Sequence, residues 1–327
     1  PASGIVHGRS ATQLTYDFSR ALAKQWTPGD GVVVSRLDHD ANVRPWLQAA
    51  DAAGASARWI DFDPATGEVD AARVAAAIIP GTRLVAITAA SNLIGTRPDL
   101  PAIADAAHAV GALLWVDGVH YAAHEFADVP RLGADFFVCS PYKFLGPHCG
   151  LLAASAELLE TVHPDKLLPS TEVVPERFEL GTLPYEQLAG VTAAVDFLAG
   201  IGGTDGTRRQ RLEASFAAID AHERRLRARL EDGLDALGDA VVVHSRAGER
   251  TPTLLLSLPG RRTWDAYQFL ATRGVLAPAG SFYAYETFRR LALPDEHGLR
   301  LGLAPYRTDE DVDRVLEGLA VFLGRSS

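Results

Sequence analysis

Two side chains stand out for the chemistry they could do together. In Leu114-Trp115-Val116-Asp117-Gly118-Val119-His120 a carboxylate closes a short apolar run. Such a run reads as a buried strand, and the ligands of open α/β sheets gather beyond the carboxyl ends of their strands. Lys143 follows a second apolar run, Phe136-Phe137-Val138, in a loop broken by Pro141, Gly146 and Pro147. It can therefore reach the same edge. Tyr142 and Phe144 flank it. Partial desolvation between them lowers the pKa of an ammonium group and favours the free amine, the form that attacks carbonyls. Taken singly, each residue has an ordinary alternative: a surface lysine after a strand, and an aspartate capping a turn.

The elements that must position this pair alternate in the first half of the chain. Helical spacing of apolar residues runs over 11–26, 41–54, 70–79 and 99–110. Between them lie strand-like runs at 32–34, 57–60, 84–88 and 113–116, then 136–138 and 151–153. Short apolar strands separated by helices predict an α/β fold with a mostly parallel sheet covered on both faces. The second half differs. It reads as helices at 186–200, 206–237, 263–273 and 309–324, with strands at 241–243, 253–258 and 299–303. Thr308 followed by Asp311 gives the last helix a capping-box signature. The expected division is a large domain over 1–206 and a smaller α+β domain over 207–327.

Composition narrows the function. The chain has 327 residues, 47% hydrophobic and 22% charged, an ordinary globular mixture. A net charge of −10 speaks against a nucleic-acid partner. No apolar run approaches the roughly 18 residues of a membrane span. Cys139 and Cys149 are the only cysteines and form no secreted disulfide framework, so a reducing, cytoplasmic location is expected. No metal-ligand spacing is evident. No Gly-x-Gly-x-x-Gly follows the first strand, which sets aside a dinucleotide-binding dehydrogenase. The chain begins at Pro1 and contains no Met, so N-terminal residues are expected to be missing from it.

Further segments extend the set. They are Gly8-Arg9-Ser10-Ala11-Thr12, Asp38-His39-Asp40-Ala41-Asn42 with Pro45-Trp46, Ser91-Asn92-Leu93-Ile94-Gly95-Thr96, Ser140-Pro141-Tyr142-Lys143, Arg177-Phe178-Glu179-Leu180-Gly181-Thr182 and Leu299-Arg300-Leu301-Gly302-Leu303. In their order and spacing they resemble the class V aminotransferases of pyridoxal-phosphate fold type I, in the branch that contains the cysteine desulfurases. The resemblance runs from about residue 8 to the C-terminus, and implies that roughly the first 70 residues of a typical member are absent.

The resemblance implies pyridoxal 5'-phosphate (PLP) as cofactor and an α-amino acid as substrate. Lys143 is implied as the Schiff-base lysine and Asp117 as the partner of the pyridine nitrogen. His39 is implied to stack on the ring and Asn92 to bind the phenolic oxygen. His120 stands near that oxygen, where desulfurases usually have glutamine. Ser140 is implied as a phosphate ligand, together with candidates among Ser10, Ala11 and Thr12 at a helix start, where free N–H groups attract anions. Thr182 is implied to reach the phosphate of a neighbouring subunit, hence a homodimer. Arg300 is implied to hold the substrate carboxylate. The loop 274–284 carries Tyr283 where a desulfurase has its nucleophilic cysteine, and Pro278 where it has a second arginine. Pro278, Ser281, Phe282 and Tyr283 would meet the substrate side chain. The expected chemistry is therefore C–S β-lysis or transamination. Epimerisation, desulfuration through a different thiol, and a non-catalytic binding protein of the same fold are the alternatives. His108 and His124 match no role and read as surface or packing residues.

Overall fold

The computed structural model describes residues 2–325. Its main sheet has seven strands: β1 (Ile5–Gly8), β2 (Gly31–Ser35), β3 (Ser56–Ile60), β4 (Thr82–Thr88), β5 (Leu113–Asp117), β6 (Phe136–Cys139) and β7 (Gly150–Ala154). Their order is β1-β7-β6-β5-β4-β2-β3. Only β7 is antiparallel to its neighbours; the pairs from β6 to β3 are parallel. The α/β sheet expected from the apolar runs is thus present. β1 is an addition. It lies at the sheet edge, and His7 and Gly8 cut its apolar run to two residues.

Side chains alternate between two buried layers. Val32, Val34, Trp115 and Phe136 pack with Leu14, Phe18 and Trp46, from helices α1 (Ala11–Ala23) and α2 (Arg44–Ala53). Val33, Leu114, Val116 and Phe137 pack on the other side with Val74 and Ile103, from α3 (Ala71–Ala77) and α4 (Leu100–Ala109). Burial on both faces is why these strands read as continuous apolar runs. Helices α3 and α4 start one residue later than their apolar spacing suggests, because Asp70 and Asp99 cap them from outside. Helix α2 starts three residues late. Pro45 has no N–H and belongs at a helix start, so 40–42 form a separate 3₁₀ turn. Short helices α5 (Val129–Leu132) and α6 (Ala156–Glu160) complete this part.

Helices α7 (Tyr185–Ile201) and α8 (Arg208–Ala236) follow. A second, antiparallel sheet has the order β10-β11-β9-β8, with β8 (Val242–Val243), β9 (Thr253–Ser257), β10 (Ala279–Gly280) and β11 (Gly298–Gly302). Its Leu254, Leu256, Leu299 and Leu301 pack against α8, α9 (Thr263–Ala271) and α11 (Asp309–Leu323). The Thr308–Asp311 capping box of α11 is formed. Leu255 points the other way, into a cluster with Leu37, Phe62, Leu93, Ile94 and Ala284 that joins the two sheets. Arg300 pairs with Leu255 in register, so strand alternation aims it at the same junction. Helix α10 (Tyr285–Leu291) lies where the sequence suggested only loop.

Candidate active site

Asp117 ends β5 with its side chain 7% exposed. Its carboxylate accepts from the N–H of Val119 at 2.8 Å. The next residue must be glycine, since a Cβ on Gly118 would stand 1.9 Å from the Phe137 ring. Burial pushes the Asp117 carboxyl up to about 6, against the pull of the Val119 N–H and Lys143. Lys143 sits in the 3₁₀ turn Pro141–Phe144 after β6, with Nζ 5.3 Å from the centre of the Tyr142 ring. The residue is exposed, yet the protein around it partly desolvates the amine. That desolvation, then Arg300, lowers its pKa; Asp117 acts in the opposite sense.

One cavity of about 170 Å3 is lined by Ser10, Ala11, Thr12, His39, Asn92, Asp117, His120, Ser140 and Lys143. Nine residues picked from the sequence therefore converge, from the start of α1 and the ends of β2, β4, β5 and β6. Ser10 caps α1 by accepting from Gln13 N–H at 3.1 Å. The N–H groups of Ala11 and Thr12 have no acceptor among the described residues. Gly150 lets β7 press against this turn, because a Cβ there would meet the Ser10 carbonyl carbon at 2.3 Å.

His39 caps the turn Asp40–Asn42, and its Nδ1 accepts from Ala41 N–H at 3.1 Å. Burial, then Lys143 and Arg300, lower its pKa to about 4, so the ring is neutral at physiological pH. The turn is anchored from below. Asn42 donates to Asp38 at 2.7 Å, Trp46 donates to Asn42 at 3.2 Å, and Ser35 donates to Asp38. Burial holds the Asp38 carboxyl well above the usual range, with its hydrogen bonds to Ser35 and Asn42 opposing.

Arg300 on β11 and Tyr283 in the loop after β10 do not line this cavity, but each touches a residue that does. The Arg300 guanidinium donates to Asn92 O at 2.9 Å and lies 3.9 Å from the centre of the Phe282 ring. Burial lowers its pKa to about 10, and it makes no ion pair among the described residues. Asn92 Nδ2 donates to Phe282 O at 2.9 Å, and Asn92 Oδ1 is buried without a partner. Tyr283 stacks on His39 at 5.4 Å and is 75% exposed. Phe282 and Tyr283 have φ values of 54° and 57°, a left-handed backbone that costs non-glycine residues about 1–2 kcal/mol each. Thr182 is exposed on a loop and does not line the cavity. Thr15, Thr88 and Tyr142 also line it. Of these, Thr15 was legible as the residue one turn beyond Ala11 on α1. Of the two readings of His124, surface or packing, the structure shows packing: it is buried beside His120.

The profile of the class V aminotransferases matches residues 1–315. The chain belongs to that family. Similar proteins include the aminotransferase-like protein FGM3 of Gibberella zeae, 32% identical over 98% of this chain and 78% of that one. A cysteine desulfurase of Klebsiella pneumoniae is 31% identical over 89% of this chain and 70% of its own length. Among solved structures, the cysteine desulfurase CsdA of Escherichia coli superposes with a TM-score of 0.86 at 27% identity, covering 99% of this chain and 80% of that one. The apo cysteine desulfurase of Thermococcus onnurineus, at 22% identity and a TM-score of 0.87, shares the fold.

This class V enzyme uses PLP, and the residues present fit that cofactor. The open N–H groups at α1, with Ser10 and Ser140, suit a phosphate dianion. Asp117 is a buried carboxylate with no ion-pair partner among the described residues, suited to a protonated ring nitrogen. The amine of Lys143 and the unpartnered Asn92 Oδ1 add polar groups at the same cavity. Among the described residues no group of His, Cys, Asp and Glu is placed to hold a metal. No helix there is long and apolar enough to cross a membrane.

Proposed function

We propose that this enzyme acts at Cα and Cβ of an α-amino acid by C–S β-elimination or transamination, with no loop thiol. The observation that carries this reading is Tyr283. It occupies the 274–284 loop against His39, at the place where the resemblance sets a desulfurase cysteine, and a phenol cannot accept sulfane sulfur. The bound cofactor supplies the electron sink for the bond broken at Cα. Lys143 holds the cofactor through its amine and then carries the Cα proton. Asp117 keeps the proton on the ring nitrogen. His39 stacks as a neutral ring. Arg300, a cation without a carboxylate partner among the described residues, receives the substrate carboxylate. A panel of amino acids including cysteine and its S-conjugates tests the reading, with pyruvate, keto acid and sulfide followed separately. Racemisation alone, with none of these products, would sink it.

Two expected results follow. Arg300→Ala should raise KM for the amino acid about 100-fold, the loss expected for one desolvated charge pair, with a smaller change in kcat. An unchanged KM would move the carboxylate site elsewhere. Cys139→Ser and Cys149→Ser should each leave most activity. Burial pushes the Cys139 thiol up to about 12 and raises that of Cys149 as well, so neither is a ready thiolate. A persulfide trapped on Cys149 after incubation with cysteine, and lost together with activity in Cys149→Ser, would restore desulfuration. Both thiols are free, in keeping with a cytoplasmic enzyme. The proposed domain boundary falls at 206/207, just before Thr207, the N-cap of α8.

A homodimer with shared sites is part of the proposal. Leu167, Leu168, Val173, Leu180 and Tyr185 are all more than half exposed, Leu168 fully so. All five fall in the segment 167–185 that contains Thr182, and exposed apolar side chains gathered in one segment support an interface there. Sedimentation should show a dimer at working concentration. A fully active monomer would rule it out.

A further inference from the structure

His120 is held by a pair of hydroxyls at the start of β9, Thr253 on the strand and Thr251 two residues before it. Its Nε2 lies 3.0 Å from Thr251 Oγ1 and 3.0 Å from Thr253 Oγ1. Both threonines are buried, at 1% and 3% exposure. Each hydroxyl carries one proton and needs an acceptor for it. Thr253 Oγ1 has no other acceptor among the described residues, and Thr251 Oγ1 has only the Gly95 carbonyl at the long distance of 3.5 Å. If Nε2 carried a proton, it would donate to both hydroxyls and leave the Thr253 proton buried without a partner. If Nε2 is the bare nitrogen, its one in-plane lone pair accepts the Thr253 proton, and the Thr251 proton shares it or turns to the Gly95 carbonyl. The ring proton then sits on Nδ1. His120 lines the cavity, and Nδ1 has no hydrogen bond within the described protein.

The ring is fixed from behind as well. His124 packs edge-on against it at 4.9 Å and 64°. His124 Nδ1 in turn lies 2.9 Å from the buried carboxylate of Glu223 on α8. Burial first, and then nearby positive charge including Arg300 and Lys143, hold the His120 pKa well below the usual imidazole value.

We propose that Thr251 and Thr253 are positioning residues that fix His120 as its Nδ1–H tautomer, so that the imidazole presents a donor to the cavity. Toward the cofactor this donor would meet the negatively charged phenolic oxygen. That use rests on the site reading above, whereas the tautomer does not. The hydroxyls stand at and just before the start of β9, so the placement of the second sheet on the first is written into the hydrogen-bonding character of the site.

The test is long-range proton–nitrogen NMR of histidine-labelled, cofactor-free protein, with His120 identified by its loss in His120→Gln. The wild type should show a pyridine-like Nε2 and a pyrrole-like Nδ1. Thr251→Val with Thr253→Val should abolish that preference, while Thr253→Ser should keep it. A pyrrole-like Nε2 in the wild type, or an unchanged tautomer in the double valine variant, would overturn the proposal. If the double variant does not fold, the wild-type spectrum and the single variants decide. Titration with PLP, followed by its visible absorption, forms a second arm. The double variant should bind three- to tenfold more weakly, about one hydrogen bond's worth. Equal binding with a switched tautomer would overturn the use of His120 toward the cofactor. A wild type that binds no PLP would overturn the site reading and leave the tautomer standing.

Discussion

Lys143→Ala should abolish covalent attachment of the cofactor and lower turnover by at least about 1,000-fold. The magnitude combines loss of the nucleophilic amine with loss of a positioned proton carrier, the latter alone worth about 100- to 10,000-fold. Lys143 is suited to both tasks by its surroundings. Partial desolvation and Arg300 lower its pKa, so a larger share of the amine is neutral than on a lysine free in water. Nothing in the core depends on it, since it sits in an open turn at the cavity mouth. The variant should therefore fold and keep its thermal transition. Borohydride reduction followed by mass spectrometry is the measurement. A reducible cofactor adduct persisting in Lys143→Ala would show that another amine carries the linkage.

Asp117→Asn should cut kcat by about 100- to 1,000-fold, the size seen when one preorganised electrostatic group is removed. It should also stabilise the cofactor-free protein. Burial holds the folded carboxyl at about 6, whereas the unfolded group ionises near 3.8. The folded pKa is raised, so ionisation costs the folded state. That cost is fully present above about pH 6 and is gone below about pH 4. The difference corresponds to about 3 kcal/mol, an upper figure for what asparagine would recover at neutral pH. Denaturation of both proteins without cofactor, at about pH 7.5 and about pH 4, checks the sign. The expected gain appears only at the higher pH. With cofactor bound, a protonated ring nitrogen provides the missing cation, and the advantage of asparagine should shrink or reverse. Near-normal kcat in Asp117→Asn would remove Asp117 from the reaction.

The order of strands and helices could be read from the chain because those signals are local. An apolar run such as Leu114-Trp115-Val116 reports burial on both faces of a sheet. Ser10 and Thr308 report helix starts through the backbone N–H groups they cap. That Asp117 and Lys143 share an edge also follows locally, since each comes directly after a parallel strand. The resemblance to a family added roles for His39, Asn92 and Arg300 that no spacing could supply. Helix α10 escaped because its buried residues, Glu286 and Thr287, are polar, and strand β10 because Ala279-Gly280 carries no large apolar residue. Tertiary structure alone decided what surrounds the site. Asn92 meets Phe282 across 190 residues of chain, Arg300 meets Asn92 across 208, and His120 meets Thr253 across 133. Those meetings depend on how the Leu37, Phe62, Leu93, Ile94 and Leu255 cluster seats one sheet on the other. Apolar packing of that kind is non-directional. Its pattern in a sequence says that residues are buried, but the partners are chosen only when the surfaces close.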